Sequence, residues 1–409
     1  MRTFVTNGVV LDTESMTFSD NHDVVIVDGV IAEVGEVGNS NADVVIDARG
    51  KFVLPGLIDA HVHFRLATLN FRSMLGWTEV EYGIAMSRLA SQTLDRGFTT
   101  VRDLGGDVRG LRRAIASGQC AGPRIVGAGL MISQTGGHGD TEGGDLEVPS
   151  CACSLRSNHF SIVADGPDSV RKAARHLLRD GSDFLKIHVS GGVASPTDPL
   201  ESTQYTPAEV EAVVIEAGHR GTYVAAHAYT PEAIAMAVNG GVKSIEHANL
   251  IDDETAQLVG RSRSTVVPTL VTYKAMNDLG AQLGLPTANI AKNQTIYESG
   301  QQSLEVMLRA GVTLGYGTDL IGETQKMQNR EMAIRAEVQP AREILHSMWV
   351  VNAELCRLVG KIGTIKPGAF GDVVITNVNP IENIVGFADY EKSITHVVQG
   401  GKLVVERSS

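Results

Sequence analysis

Eight short apolar runs, with helix-length segments between most neighbours, constrain this chain more than any other feature. They fall at residues 57–63, 99–103, 124–127, 184–189, 223–227, 244–247, 265–269 and 312–318. Most are apolar at consecutive positions, the pattern of strands covered on both faces, as in parallel sheets flanked by helices. Segments 169–179, 207–217, 231–238 and 301–309 carry amphipathic helical spacing, and Thr206-Pro207 and Thr230-Pro231 are helix-start signals. Eight β/α units predict an α/β fold, a closed (β/α)8 TIM-type barrel spanning residues 55–364. The long insertion 130–166 follows a strand end, the side on which barrels build their sites.

The two chain ends read differently. Residues 3–53 are short alternating segments broken by turns, with Asp28-Gly29 between two β-rich runs as a hairpin signal. Strand-like runs return at 372–375 and 396–405, after a turn at Pro367-Gly368. Neither end has enough residues for a domain of its own, so residues 1–54 and 365–409 are expected to pair into one small β-sandwich beside the barrel. This is why 409 residues need not mean three average domains.

Composition narrows the partners. A net charge of −12 with no Lys/Arg-rich run argues against nucleic acid and anionic membranes and favours a small-molecule substrate. The apolar stretches are too short to span a bilayer and the N-terminus lacks a basic-then-apolar pattern, so a cytoplasmic location is expected. Cys120, Cys151, Cys153 and Cys356 are too sparse for a disulfide framework, and Cys151-Ala-Cys153 lacks a second ligand pair nearby.

The chemistry concentrates at strand ends. Residues two apart on a strand face the same side, so His61 and His63 in Ile58-Asp-Ala-His-Val-His63 form a chelating pair. Lys186, His227, His247 and Asp319 lie at or near the ends of four further runs. Singly, a strand-end histidine is often a satisfied hydrogen-bonding residue, and a Gly-Thr-Asp is often a helix cap. Lys186 fits such readings least. Flanked by Phe184, Leu185 and Ile187, it would be buried, and an unpaired buried ammonium is very costly. Burial favours the neutral amine, which can take up carbon dioxide as a carbamate and so offer two anionic oxygens to metals.

In this order, with the split β-sandwich, these residues resemble the amidohydrolase superfamily over essentially the whole chain. The stretches 133–140, 190–198, 226–231, 245–253 and 268–273 resemble its prolidase-like group, which includes Xaa-Pro dipeptidases, carboxypeptidases and amidases that cleave ochratoxin or N-acyl amino acids. The resemblance implies two divalent metal ions, zinc being the first expectation. His61, His63 and Asp319 would hold one and His227 and His247 the other, with carboxylated Lys186 bridging them. It further implies a metal-bridging hydroxide as nucleophile, Asp319 as proton carrier, and His138 and Tyr229 as donors to the scissile carbonyl or to a substrate carboxylate. A homo-oligomer is expected by the same analogy.

His188 departs from the relatives, which have an apolar or small residue there. Arg65 and Arg72, in a segment more polar than expected, either meet a substrate carboxylate or sit on the surface. The leading expectation is a binuclear hydrolase of dipeptides or N-acyl amino acids. Alternatives are an amidase on a xenobiotic such as ochratoxin, an imidazolonepropionase- or deaminase-like hydrolase, whose relatives lack the bridging lysine, and a non-catalytic scaffold, from which ligands would be missing.

Overall fold

The structure, a computed structural model, describes residues 1–38, 41–74, 76–140, 160–195 and 198–407, without the side chain of Arg72. Cys151 and Cys153 lie outside the described residues. Cys120 and Cys356 are free thiols, as expected.

Strands from both chain ends meet in one mixed sheet of eight. Its order is Lys402–Glu406, Ile394–Gln399, Val373–Thr376, Phe52–Pro55, Arg2–Asp12, Thr17–Val27 and Val30–Gly35, with Val44–Asp47 also pairing on Arg2–Asp12. The ends join where Val373 faces Pro55 and Thr376 faces Phe52 in antiparallel register. The run read as 396–405 is a hairpin that turns at Gly400-Gly401, and Asp28-Gly29 turns the other hairpin with both residues at positive φ.

The central strands are all parallel and form two sheets. One holds Leu57–Val62, Phe98–Asp103 and Arg124–Gly127; the other runs Ser161–Val163, Met131–Ser133, Leu185–His188, Val224–Ala228, Ser244–His247 and Thr265–Val267. Outward residues such as Ile187, Ala226 and Ile245 are fully buried with Val170, Leu177, Val210 and Val213 of the covering helices. Those helices begin where the sequence signals them: Glu209 accepts from the N–H and hydroxyl of Thr206, both at 2.8 Å, ahead of Pro207–His219, and Thr230 accepts from Ala233 at the head of Pro231–Asn239. The helix read as 301–309 is longer, Thr287–Arg309.

The eighth expected strand, 312–318, differs. It makes one isolated bridge, Val266 with Leu314, yet its backbone bonds both flanking strands: Val266 N–H to Thr313 O at 2.9 Å and Ala60 N–H to Tyr316 O at 2.8 Å. The Asn352 side chain replaces part of the ladder, donating to Ile58 O and Tyr316 O and accepting from Tyr316 N–H. Close approach explains why: a Cβ on Gly317 would sit 2.7 Å from that of His61, so only glycine fits there.

Candidate metal centre

Asp59, two residues before His61 and on its face, ties the eighth segment to the first strand. It accepts from His61 N–H at 2.9 Å, from the Thr318 hydroxyl at 2.6 Å and from Gln328 Nε2 at 2.7 Å. Asp319 is thereby delivered to the histidine pair. Its Oδ1 lies 3.3 Å from both His61 Nε2 and His63 Nε2, and its Oδ2 lies 4.0 Å from His247 Nδ1. Asp319 and His247 have φ of +51° and +76°, so each side chain is re-aimed by a left-handed residue at a strand end. Such conformations cost about 1–3 kcal/mol for a residue with a Cβ and persist where surroundings hold them.

Each of the four strand-end imidazoles has one nitrogen held by a protein group. His61 Nδ1 meets Glu246 Oε2 at 2.8 Å, His63 Nδ1 meets Gly105 O at 3.2 Å, His227 Nε2 meets Gly191 O at 3.0 Å, and His247 Nδ1 meets Thr269 Oγ1 at 2.8 Å. For His61, His63 and His227 the acceptor is a carboxylate or carbonyl, which fixes the proton on that nitrogen and leaves the opposite one with its lone pair, the arrangement of a metal-binding histidine; the Thr269 hydroxyl facing His247 can donate or accept. Among the described residues, His61, His247 and Asp319 bring one ligand atom each within 4.8 Å of one another. The spacing of 3.3 Å matches the edge of a tetrahedron whose ligand bonds are about 2.0–2.1 Å.

Burial and the facing charges pull these groups in different directions. Burial lowers the proton affinity of His61, but Asp319 and Glu246 outweigh it and hold the ring above its ordinary value. Burial pushes His227 and His247 well below theirs. For Asp319 burial acts upward, and the facing His61, His63 and His247 rings win, leaving the carboxyl well below the usual range. Lys186 is 1% exposed, and burial brings its ammonium down to about 8, against the upward pull of Glu246 and Asp319.

Tyr229 is buried, with its ring 4.8 Å from that of His227 and its hydroxyl 2.9 Å from that of Tyr273. His138 stacks on His227 at 4.4 Å, and its Nδ1 is 3.2 Å from Asp198. His188 lies edge-on to both rings, buried, its Nδ1 without a hydrogen-bond partner among the described residues. Arg65 corrects the surface expectation. It is buried rather than on the surface, and its guanidinium is taken by Glu79 at 2.6 and 3.0 Å over the Tyr82 ring.

Several residues around the centre went unassigned in the sequence. Glu246 accepts from Arg102 Nη2 at 2.8 and 2.9 Å and from Ser244 at 2.6 Å, all three groups fully buried. The signal was present, since Ser244 and Glu246 are two apart on an apolar strand and Arg102 is a charge inside another, as Lys186 is. Asp198 and Tyr273 end the stretches 190–198 and 268–273, which by themselves give neither a role.

A parallel α/β core with imidazoles and carboxylates gathered at its strand ends offers the donor set of a metal-dependent hydrolase. The model of the amidohydrolase family matches residues 52–404, and the chain belongs to that family. It is 30% identical to an ochratoxinase of Aspergillus niger over 402 residues, covering 94% of this chain and 82% of that protein. A crystal structure of a prolidase complexed with N-methylphosphonate-L-proline superposes with a TM-score of 0.94 at 41% identity, covering all of both chains. A Xaa-Pro dipeptidase with bound methionine superposes at 0.88 with 30% identity, covering 98% of this chain and 99% of that one.

Proposed function

We propose that this chain is a binuclear metal-dependent hydrolase of dipeptides or N-acyl amino acids, with an apolar or proline residue on the released side. The observation that carries the reading is the set of His61, His63 and His247 around Asp319, with His227 against His247 and buried Lys186 beside them. The prolidase, dipeptidase and ochratoxinase relatives support the substrate class. His61, His63 and Asp319 would hold one cation and His227 and His247 the other, with Lys186 bridging as a carbamate. The ions would supply Lewis acidity toward the scissile carbonyl and the attacking water. Hydrogen bonds across the segment 312–318 support a closed (β/α)8 barrel of residues 55–364, beside a composite β unit of residues 1–54 and 365–409.

The chain's own groups do the rest. Asp319 receives the proton of the attacking water and delivers it to the leaving nitrogen, a transfer that matters because an amide nitrogen leaves poorly unprotonated. His138 and Tyr229 border the same rings and donate where charge develops on the carbonyl oxygen or to the substrate carboxylate. His188 faces both rings from the Lys186 strand and completes the wall.

Two measurements test this. Metal analysis of purified protein should give about two divalent ions per chain. A panel of Xaa-Pro, Xaa-Arg, Xaa-Phe and N-acyl amino acid substrates on metal-loaded protein should show turnover of at least one class. One ion or none, with no turnover across the panel, would overturn the reading.

A further inference from the structure

His138 sits in a slot. One face stacks on His227 with ring centroids 4.4 Å apart and planes 16° from parallel. The Gly192 backbone also packs close against the ring, where an added Cβ would fall 2.1 Å from the imidazole. Stacking fixes the plane of the ring but not its rotation within that plane. Asp198 supplies the second constraint, with Oδ2 3.2 Å from His138 Nδ1. The same oxygen accepts from Gly192 N–H at 2.9 Å and from Gln204 Nε2 at 3.3 Å, and Gln204 Oε1 accepts from His138 N–H at 2.9 Å.

The carboxylate is held from outside the site. Lys292, on the helix Thr287–Arg309, donates to the carbonyls of Gly192 at 3.2 Å, Ser195 at 2.8 Å and Asp198, and lies 3.8 Å from Asp198 Oδ1. An ammonium has three hydrogens, and three carbonyls of one loop receive them. That loop also carries the Gly191 carbonyl that holds His227 Nε2.

We propose that Asp198, fastened by Lys292, is a positioning residue that fixes the rotation of the His138 ring and keeps its Nδ1 protonated, so that Nε2 is the atom offered to substrate. A carboxylate only accepts, so the facing nitrogen must carry the hydrogen. Burial pushes the Asp198 carboxyl upward, and the His138 contact outweighs it, which keeps the group ionised. The substrate-facing role of His138 rests on the function proposed above; the proton on its ring does not.

The test pairs turnover with a signal that needs none. Long-range 15N–1H spectra of histidine-labelled protein, with His138 assigned by difference against His138→Asn, should show a protonated Nδ1 in the unaltered chain. In Asp198→Ala that signal should change to a tautomer mixture, and kcat should fall about 10–100-fold, the scale of losing a partner that orients a site histidine, with KM and metal content little changed. Asp198→Asn keeps an acceptor for Nδ1 and should restore the tautomer and part of kcat. Lys292→Met should move the His138 signal in the same direction as Asp198→Ala. An unprotonated Nδ1 in the unaltered chain, or an unchanged signal in Asp198→Ala, overturns the proposal. A changed signal in a protein that turns over no substrate upholds it and removes the hydrolase reading instead.

Discussion

Glu246 accepts from His61 Nδ1 at 2.8 Å while Arg102 Nη2 spans both of its oxygens at 2.8 and 2.9 Å. A fully buried ion pair of this kind is roughly neutral or worse for stability against a well-packed apolar pair, whereas removing one partner costs about 3–5 kcal/mol. Stability alone does not account for it. The His61 contact does, because it fixes which nitrogen of the ring faces Asp319.

The pair can therefore be dissected. Glu246→Leu alone should lower the melting temperature sharply by stranding Arg102, and Glu246→Leu with Arg102→Met should recover most of that loss. Metal affinity should stay about 10–100-fold below that of the unaltered chain in both, the usual effect of deleting a partner of a ligating histidine. A double variant that regains full metal affinity along with stability would show that Glu246 does not act through His61.

Lys186→Ala should abolish turnover and lower metal content, because the proposed bridge is lost with the amine. Short-chain carboxylates, added as stand-ins for the carbamate, should restore part of both. Two bound ions and full activity in the variant would sink the bridging role.

Much of this centre was legible beforehand because period-two strand geometry and strand-end placement are local properties. His61, His63, Lys186, His227, His247 and Asp319 could each be placed that way. What was not legible depends on contacts far apart in sequence. Arg65 finds Glu79 only when the following helix packs back, and Asp198 meets His138 only when two loops fold together. The eighth segment was legible as a run but not in its pairing: its backbone bonds both neighbours, while the distant Asn352 side chain takes part of the ladder. Asp319 and His247 reach the centre through left-handed backbone, which alternation does not foretell.

Tyr229→Phe should lower kcat by roughly 10²-fold, the scale of removing one donor from a developing oxyanion. The buried ring keeps its packing against His227 and His247, so stability and metal content should hold. If the effect falls on KM instead, Tyr229 serves the substrate carboxylate; unchanged kinetics would take it out of the chemistry altogether.

Glu331 bears on stability rather than catalysis. It accepts from Val271 N–H at 2.7 Å at the head of the helix Leu270–Leu279, which carries Tyr273. It is fully buried, its Oε1 has no hydrogen-bond partner among the described residues, and burial raises its carboxyl from 4.5 to about 8. Between those values the folded chain keeps a proton that the unfolded chain has released, so stability falls as pH rises through that interval. Glu331→Gln mimics the neutral form and has no proton to lose. Melting curves from pH 5 to pH 8.5 should therefore show the variant gaining on the unaltered chain as pH rises, and a gap that stays constant across the series would mean that Glu331 is ionised throughout.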